Sequence, residues 1–546
     1  SPHLMKQYIF SLGLGLLAFT TVSCDDFLDQ YSQDLVVAKS VTDLNELLVG
    51  DVYLRSHEVS KGMNAGVYGF VNALDDDINT TGTSQQGNIA NTAWTHTLAP
   101  LYGYFTWQQD VRYNYGATNK ASDDATWKTL YSRISHANNI IDIVDEMPHA
   151  TKEDEALYHR VKGEAHFARA QFYLALANLY GKPYRVDSAS TDLCVPLKLT
   201  PHVEHEKDKA TQFERATTGQ VYAQVVADLN LAVEELTVSP QPDRFRLHRA
   251  SAEAAGVLLS RTLLYMQRWA EAEQAAKRVV ESPRVKLAAL TDFQAGKPFL
   301  TRNNPEVLFS QGANSVAAQD KGTSLTGAPG DFCVTRELYD SYVDTDVRKQ
   351  VFFSVNGLSD SISLSNKYER VTGENHISDG FLLRASEAYL NLAEAQAMQG
   401  KSAEASATLG RLQQRRIADY SPTPLSGKAL VDEIRAERRR ELCFEGQRWF
   451  DLRRYAVNTV QPLKKNVVHA YNAYSNSNAF LTTHTFVLPA GDPAYTFSIP
   501  LSVIEFDKVP MPNNIRPKRE EVKQPKPLPT LPTDDEEDNP TPTPAP

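Results

Sequence analysis

The chain has 546 residues, enough for one large core or two to four smaller ones, and carries 67 acidic against 56 basic side chains, a formal net charge of −11. That acidic balance, with no basic patch interleaved with aromatics, argues against a nucleic-acid partner.

At the amino terminus Lys6 precedes an apolar stretch from Ile9 to Phe19, and the small residues Thr20 to Ser23 lead into Cys24. The stretch is too short for a stable membrane-spanning helix, so it reads as a processed secretory signal, with residues 1–4 an added remnant before Met5. Small residues followed by cysteine resemble a bacterial lipobox, in which Cys24 is lipidated and becomes the first mature residue. Thr21 departs from the leucine usual at its place. No later apolar run is long enough to cross a bilayer, so attachment to a membrane is expected through lipid at Cys24. The other cysteines, Cys194, Cys333 and Cys443, are far apart, odd in number and without the paired spacing of a zinc site. They read as buried thiols, and no metal or cofactor is expected.

Long helical segments follow. Asp123 to Met147 carries Leu130, Ile134, Ile140, Ile141 and Val144 near helical spacing, and Ala156 to Tyr180 does the same with small residues interleaved. Together they predict a helical hairpin: Gly163, Ala165, Ala168 and Ala175 permit close approach, while Phe167, Phe172, Tyr173 and Leu176 fill the contact. Gly181 and Pro183 stop the second helix. Similar hairpins are predicted over Ser251 to Glu281 and Phe381 to Arg416, the latter broken at Gly400. They resemble tetratricopeptide repeats. One hairpin cannot bury its apolar face alone, so several must stack. The predicted fold is all-α: irregular tetratricopeptide-like hairpins form a scaffold with long loop-rich insertions.

The stretches Asp75 to Tyr115, Cys194 to Phe213, Val285 to Thr372 and Leu463 to Phe497 are rich in Gly, Asn, Thr, Ser and Pro and read as loops. Loops on a rigid scaffold are where binding residues usually sit. The first holds Trp94, His96, Tyr102, Tyr104, Phe105, Trp107, Tyr113 and Tyr115, with Asp110, Arg112, Asn91 and Asn114 among them. Aromatic faces can stack on the C–H face of a sugar ring or hold peptide side chains while amides and charges bond polar edges, which is the logic of a binding platform. The same rings would also fill the seam between loop and scaffold. Trp94, in the polar run Ser84 to His96, is the ring least expected to be core. Asp75, Asp76 and Asp77, followed by Asn79, put three carboxylates together. They would accept bonds from sugar hydroxyls or a peptide amine, or form a solvated turn; they lack the alternating spacing of a calcium loop. Gly312 to Phe332, with Asn314, Gln319, Asp320 and Lys321, is the second candidate wall.

Sequence motifs of catalysis are missing: there is no glycine-rich phosphate cradle before a helix, no G-x-S-x-G and no H-E-x-x-H. His159 and His166 lie two turns apart and read as packing residues.

The run from Glu437 to Tyr455, ERRRELCFEGQRWFDLRRY, has charges at helical spacing: Glu437 with Arg440, Arg448 with Asp451, Asp451 with Arg454. It reads as an ion-laced helix surface. As a pattern it closely resembles the late motif of the SusD/RagB family of outer-membrane nutrient-binding lipoproteins. Other segments resemble the family in the same order: Asp25 to Asp29 after the lipobox, the early loop at Asp75 to Asn79, Gly163 to Ala170, Leu338 to Arg348, and Phe497-Ser498-Ile499-Pro500 with Glu505. The resemblance covers Cys24 to about Glu505. The remainder, proline-rich with the acidic block Asp534 to Asp538, departs from the family and reads as a disordered tail. The organisation expected is remnant and signal over 1–23, a SusD-like domain over 24–514 and the tail over 515–546.

The resemblance implies a lipid-anchored protein of the outer-membrane surface that binds without cutting. It would cap a SusC-like TonB-dependent transporter and deliver captured oligomers to it. Oligosaccharide is the first ligand class, on the aromatic supply; oligopeptide is the second, on the three aspartates; a secreted glycan hydrolase is the rival of another kind. The expected ligand-binding set is Asp75, Asp76, Asp77, Asn79, Trp94, His96, Tyr102, Tyr104, Trp107, Asn314 and Asp320, with lipid at Cys24.

Overall fold

The computed structural model describes residues 38–55, 67–80, 101–113, 115, 120, 123–201, 213–243, 247–316, 332–357, 360–369, 377–474, 480–506 and 508–522. Cys24, Trp94, His96 and Asp320 lie outside these residues.

After a short capped helix α1 (Val41–Leu47), the scaffold begins with α2 (Ala125–Ile143) and α3 (Lys152–Tyr180). The helix α3 starts at Thr151, whose side chain accepts from Asp154 N, and opens with Glu153, Asp154 and Glu155, which suit the positive end of the helix dipole. Its second half is buried all round, so it forms the spine of the molecule. Next comes α4 (Thr218–Val238), a helix absent from the expectations, capped by Thr217 and Gln220. It packs on α3 through Gly163, where a Cβ would come within 2.8 Å of Leu236 Cγ. The pair α5 (Ala252–Tyr265) and α6 (Trp269–Val280) and the pair α7 (Ala385–Met398) and α8 (Ser402–Gln413) are the hairpins read from the sequence, and Gly400 at their second break has φ +76°. Each helix from α2 to α8 packs on the next, and α6 meets α7 although residues 281–384 intervene. The all-α repeat scaffold is therefore as expected. Among the described residues, no helix is long and apolar enough to cross a membrane.

The insertions differ from a plain loop reading. They hold β1 (Ile78–Thr80), β2 (Val307–Gln311), β3 (Phe332–Val334), β4 (Phe353–Val355) and β5 (Ile362–Leu364), and β6 (Phe381–Arg384) takes the first residues of the segment expected to be a helical hairpin from Phe381. The order β1-β3-β5-β4 makes one small sheet, and β2 pairs antiparallel with β6. The stretch Leu463 to Phe497 contains a hairpin of β7 (Val467–Tyr474) and β8 (Phe480–Leu488), with His469 opposite Phe486 and Tyr471 opposite His484. Its buried positions Val467, His469 and Tyr471 alternate as a strand requires, but the apolar Val468 and Ala470 between them blur that period.

The motif run forms two helices, α9 (Gly427–Leu442) and α10 (Arg448–Ala456), joined by a tight turn with Phe444 at φ +57° and Gly446 at φ +67°. The expected ion pairs Glu437–Arg440 (2.8 Å) and Asp451–Arg454 (2.8 Å) form, whereas Arg448 turns instead to Asp76. This is a correction to the surface reading, because Glu437, Arg438, Glu441, Glu445 and Asp451 are buried. Glu441 accepts from Arg348 (2.8 Å), Arg384 (2.9 Å) and Arg416 (2.9 Å), three arginines from three insertions and loops. Arg384 and Arg416 also share Glu306, at 2.8 and 2.6 Å. Buried ions persist only when paired and fully bonded, and here each strengthens the geometry of the next.

At the other end, Ile515 to Val522, read as tail, lie against the body. Arg516 is buried and donates to Thr496 O (3.2 Å) and to Gln108 O (3.3 Å), and Val522 N reaches Thr485 O at the edge of β8 (2.8 Å). Of the three cysteines, Cys194 and Cys443 are buried as expected and Cys333 is half-buried.

Candidate functional site

The three aspartates sit in the turn that enters β1, and all are buried. Asp76 takes a two-bond fork from Arg448 (2.7 and 2.8 Å), a bond from Lys465 (2.6 Å), and faces Arg439 at 3.3 Å. Burial opposes its ionisation, but Arg448, Arg439 and Lys465 outweigh burial and hold the carboxyl well below the usual carboxylate range. Asp77 accepts from Arg439 Nε at 2.6 Å. Asp75 has no cation of its own: burial, with Asp77 and Asp76 beside it, pushes its carboxyl well above the usual range. The carboxylate oxygens are close enough to share an ion. Three cationic side chains already face them, so the charge is matched from within the protein. The triplet ties β1 to α9 and α10, and the solvated turn is ruled out for it.

Asn79 acts in the same junction. Its Oδ1 accepts from Ala470 N (3.0 Å) and Thr80 N (2.9 Å), and Thr80 Oγ1 accepts from Asn472 N (3.2 Å), so β1 is splinted to β7. His469 on β7 is held between Phe105 (centroids 4.1 Å) and Trp107 (4.3 Å). Its ring nitrogens face Phe105 O (2.6 Å) and Asp75 O (2.7 Å). Burial, against the pull of those carbonyls, brings its pKa down to about 4. The neutral imidazole therefore has one N–H for two carbonyls.

Trp107 is wholly buried, with φ +52°, and its Nε1 donates to Leu74 O (2.9 Å). It is a core ring that shapes the loop from beneath. Tyr104 is half-buried and stacks on Phe70 at 4.5 Å, which makes it seam filling. Asn314 is buried too, donating to Ile377 O (2.7 Å) and accepting from Val316 N (3.0 Å). Beside it Asp379 accepts from Ser315 N and Val316 N (both 3.2 Å), while burial pushes its carboxyl up to about 6.

Tyr102 is buried beneath the rings through which the expected site meets the surface. Its ring contacts Tyr471 (4.8 Å), Tyr115 (5.2 Å), Tyr113 (5.6 Å) and Phe486 (6.2 Å). The inner rings Tyr471 and Phe486 are buried, whereas Tyr113 is 45% exposed and Tyr115 half-buried. Tyr115 Oη lies 3.2 Å from His484 Nε2, and His484 Nδ1 lies 3.1 Å from Glu521 on the terminal arm. The result is an aromatic patch with a rigid base and a polar edge of hydroxyl, imidazole and carboxylate. Beyond it the hairpin continues to an apolar tip, with Phe480 45% and Leu481 57% exposed.

Of the expected residues the fold thus brings Tyr102 into this patch and the aspartates, Asn79 and Trp107 beneath it. Tyr104 and Asn314 belong to neighbouring packing. Tyr471, His484, Phe486 and Glu521 went unnoticed in the sequence. The alternation in V-V-H-A-Y and in T-H-T-F-V-L carried a strand signal for the first three, and nothing local pointed to Glu521.

Residues 354–505 match the family described as the SusD family, and residues 64–264 match the one described as starch-binding associating with outer membrane. A SusD-like protein of Formosa agariphila is 25% identical over 327 residues, 58% of this chain and 54% of that relative, so about half of the relative's length is matched. Among solved structures, a putative sugar binding protein from Bacteroides vulgatus is 22% identical with a TM-score of 0.64, over 87% of this chain and 98% of its own. A SusD superfamily protein from Bacteroides thetaiotaomicron is 21% identical with a TM-score of 0.62, over 87% of this chain and 100% of its own. These structures share the fold.

Proposed function

The chain belongs to the SusD/RagB family, and on that premise we propose that it captures extracellular oligosaccharides at the outer-membrane surface and passes them to a SusC-like TonB-dependent transporter. The observation that carries the reading is the patch around Tyr102. Exposed faces of Tyr113 and Tyr115, backed by buried rings that fix their orientation, are suited to stacking on sugar C–H faces, with His484 and Glu521 at hand for hydroxyls. The sugar-binding description of the structurally similar Bacteroides vulgatus protein points the same way.

Peptide capture rested on the three aspartates, and the carboxylates of Asp76 and Asp77 are committed to Arg448, Arg439 and Lys465 while Asp75 is buried. Binding without cleavage fits the same fact. Asp75 and Asp76 differ in ionisation as an acid and base would, yet both are buried away from any substrate. Lipid at Cys24 supplies the anchor in this reading.

The test is calorimetric titration of the mature protein with a panel of oligosaccharides and with protein digests, alongside an assay for new reducing ends. Saturable sugar binding without new ends is expected. Binding only by digests replaces the ligand class, and released reducing ends replace capture with hydrolysis. Co-purification of the transporter with the tagged chain tests the partner.

A further inference from the structure

A second concavity lies at the far end of α9 from the aspartates. Leu430 is in its wall and Arg439 bonds Asp77, about 14 Å apart along the helix axis. It is a cleft of about 500 Å³ between α8, the loop 414–426, the first turns of α9 and the turn at 343–345. This volume is in the range of small-molecule sites.

The walls are built. The loop is pinned where it leaves the core, Ala418 N donating to Thr345 O (3.0 Å) and Val347 N to Arg416 O (2.9 Å), and where it returns, Ser406 Oγ reaching Leu425 O (3.4 Å). The Tyr420 ring crosses α8 at Gly410, where a Cβ would come within 2.8 Å of the tyrosine hydroxyl, so glycine there makes room for the ring. Leu409 and Leu430 are buried and form the floor, with Ile417 and Leu425 half-buried beside them.

The polar lining has one sign. Asp419 and Glu433 are its charged residues, and no Lys, Arg or His lines the cleft. Glu433 Oε1 accepts from Gln413 Nε2 (2.8 Å) and Arg440 Nη2 (2.6 Å), so the carboxylate is held in place. Both bonds fall on that one oxygen, and Oε2 accepts none among the described residues. Arg440 is divided between Glu433 and Glu437. Asp419 is exposed and forms no ion pair among the described residues.

We propose that this cleft is a second binding site, for a ligand that joins a primary ammonium to an aliphatic stem: Glu433 Oε2 and Asp419 take the ammonium, the face of Tyr420 flanks it, and Leu409, Ile417, Leu425 and Leu430 take the stem. A fixed carboxylate beside an apolar floor rewards a compact cation and repels an anion. Because the protein's own bonds already orient Glu433, little side-chain freedom is lost on binding. The same chemistry is offered by a lysine side chain and by a free diamine.

The experiment titrates the mature chain with n-hexylammonium, hexanol and hexanoate. Hexylammonium should saturate a single site, hexanol should bind about tenfold more weakly, and hexanoate should not bind. Glu433→Gln should weaken hexylammonium about fivefold and leave hexanol unchanged. Asp419→Asn, at an exposed position without an ion pair among the described residues, should weaken it about twofold, and Tyr113→Ala should leave it unchanged. Nα-acetyl-lysine amide and 1,5-diaminopentane then decide between side chain and free diamine. Equal binding of hexanol and hexylammonium, no saturable binding, or wild-type hexylammonium affinity in both acid variants overturns the proposal.

Discussion

Arg448 closes a two-bond fork on Asp76, at 2.7 and 2.8 Å, and so joins α10 to a turn that lies 372 residues earlier in the chain. Removing one partner of such a buried pair strands the other. Arg448→Met is expected to cost about 3 kcal/mol, the low end for a buried ion because Lys465 and Arg439 still face Asp76. Asp76→Asn combined with Arg448→Met should cost less than the sum of the single changes. Urea unfolding of the four proteins measures both values, and strict additivity would sever the two residues energetically.

Stability should depend on pH mainly below the carboxylate range. Burial opposes Glu437's ionisation, but Arg348 and Arg440 overcome it and lower its pKa to about 2 from 4.5, and Glu441 lies well below its ordinary value for the same reason. Between those pH values the unfolded chain binds more protons, so stability present above pH 4.5 is lost as pH falls toward 2. From pH 6.5 to 4 buried groups oppose each other, with Asp75, raised by burial, acting in the same sense as Asp379. Asp379, raised to about 6, takes its proton in the folded state and gains stability as pH falls, whereas His469, lowered to about 4, resists protonation and loses it. Melting temperature should therefore change little from pH 7 to 4.5 and drop steeply below. A steep fall already complete by pH 5 would contradict this.

Three aromatic truncations should separate surface from core. Tyr113→Ala should weaken oligosaccharide binding about tenfold with melting nearly unchanged, because the ring is 45% exposed. Trp107→Ala should cost about 3–5 kcal/mol of stability, because the ring is wholly buried between Leu74 and His469. Trp94→Ala is expected to behave as Tyr113→Ala, and unaltered affinity would remove Trp94 from the platform. Calorimetric titration and differential scanning calorimetry read the two axes independently.

Lipid at Cys24 makes a direct prediction. Mass spectrometry of the mature protein from its native membrane should find the chain beginning at an acylated Cys24, and Cys24→Ala should release it from the membrane fraction. Unmodified cysteine on a membrane-bound product would require another anchor.

The helical scaffold was legible because apolar period and helix stops agree: Gly181, Ser251 and the glycine at 400 sit where helices begin or end. The hairpin of β7 and β8 was hidden because a buried position carries His469 while exposed positions carry Val468, Phe480 and Leu481. The charges of α9 and α10 were read correctly as helical and wrongly as exposed. An acid and a base three residues apart look alike on a surface and in a core; what distinguishes them is Arg348, Arg384, Arg416 and Asp76, all remote in sequence. The platform was half visible for a similar reason. Tyr102, Tyr113 and Tyr115 are local, but Tyr471, His484 and Glu521 reach them only through folding.

The contact of α6 with α7 across residues 281–384 has a bearing on biogenesis. Until α7 is available, the face of α6 that meets it has no cover, so a nascent chain halted before Ala385 carries a sticky, unmated surface. Folding of this chain thus favours a holding factor that shields the first half until the second arrives.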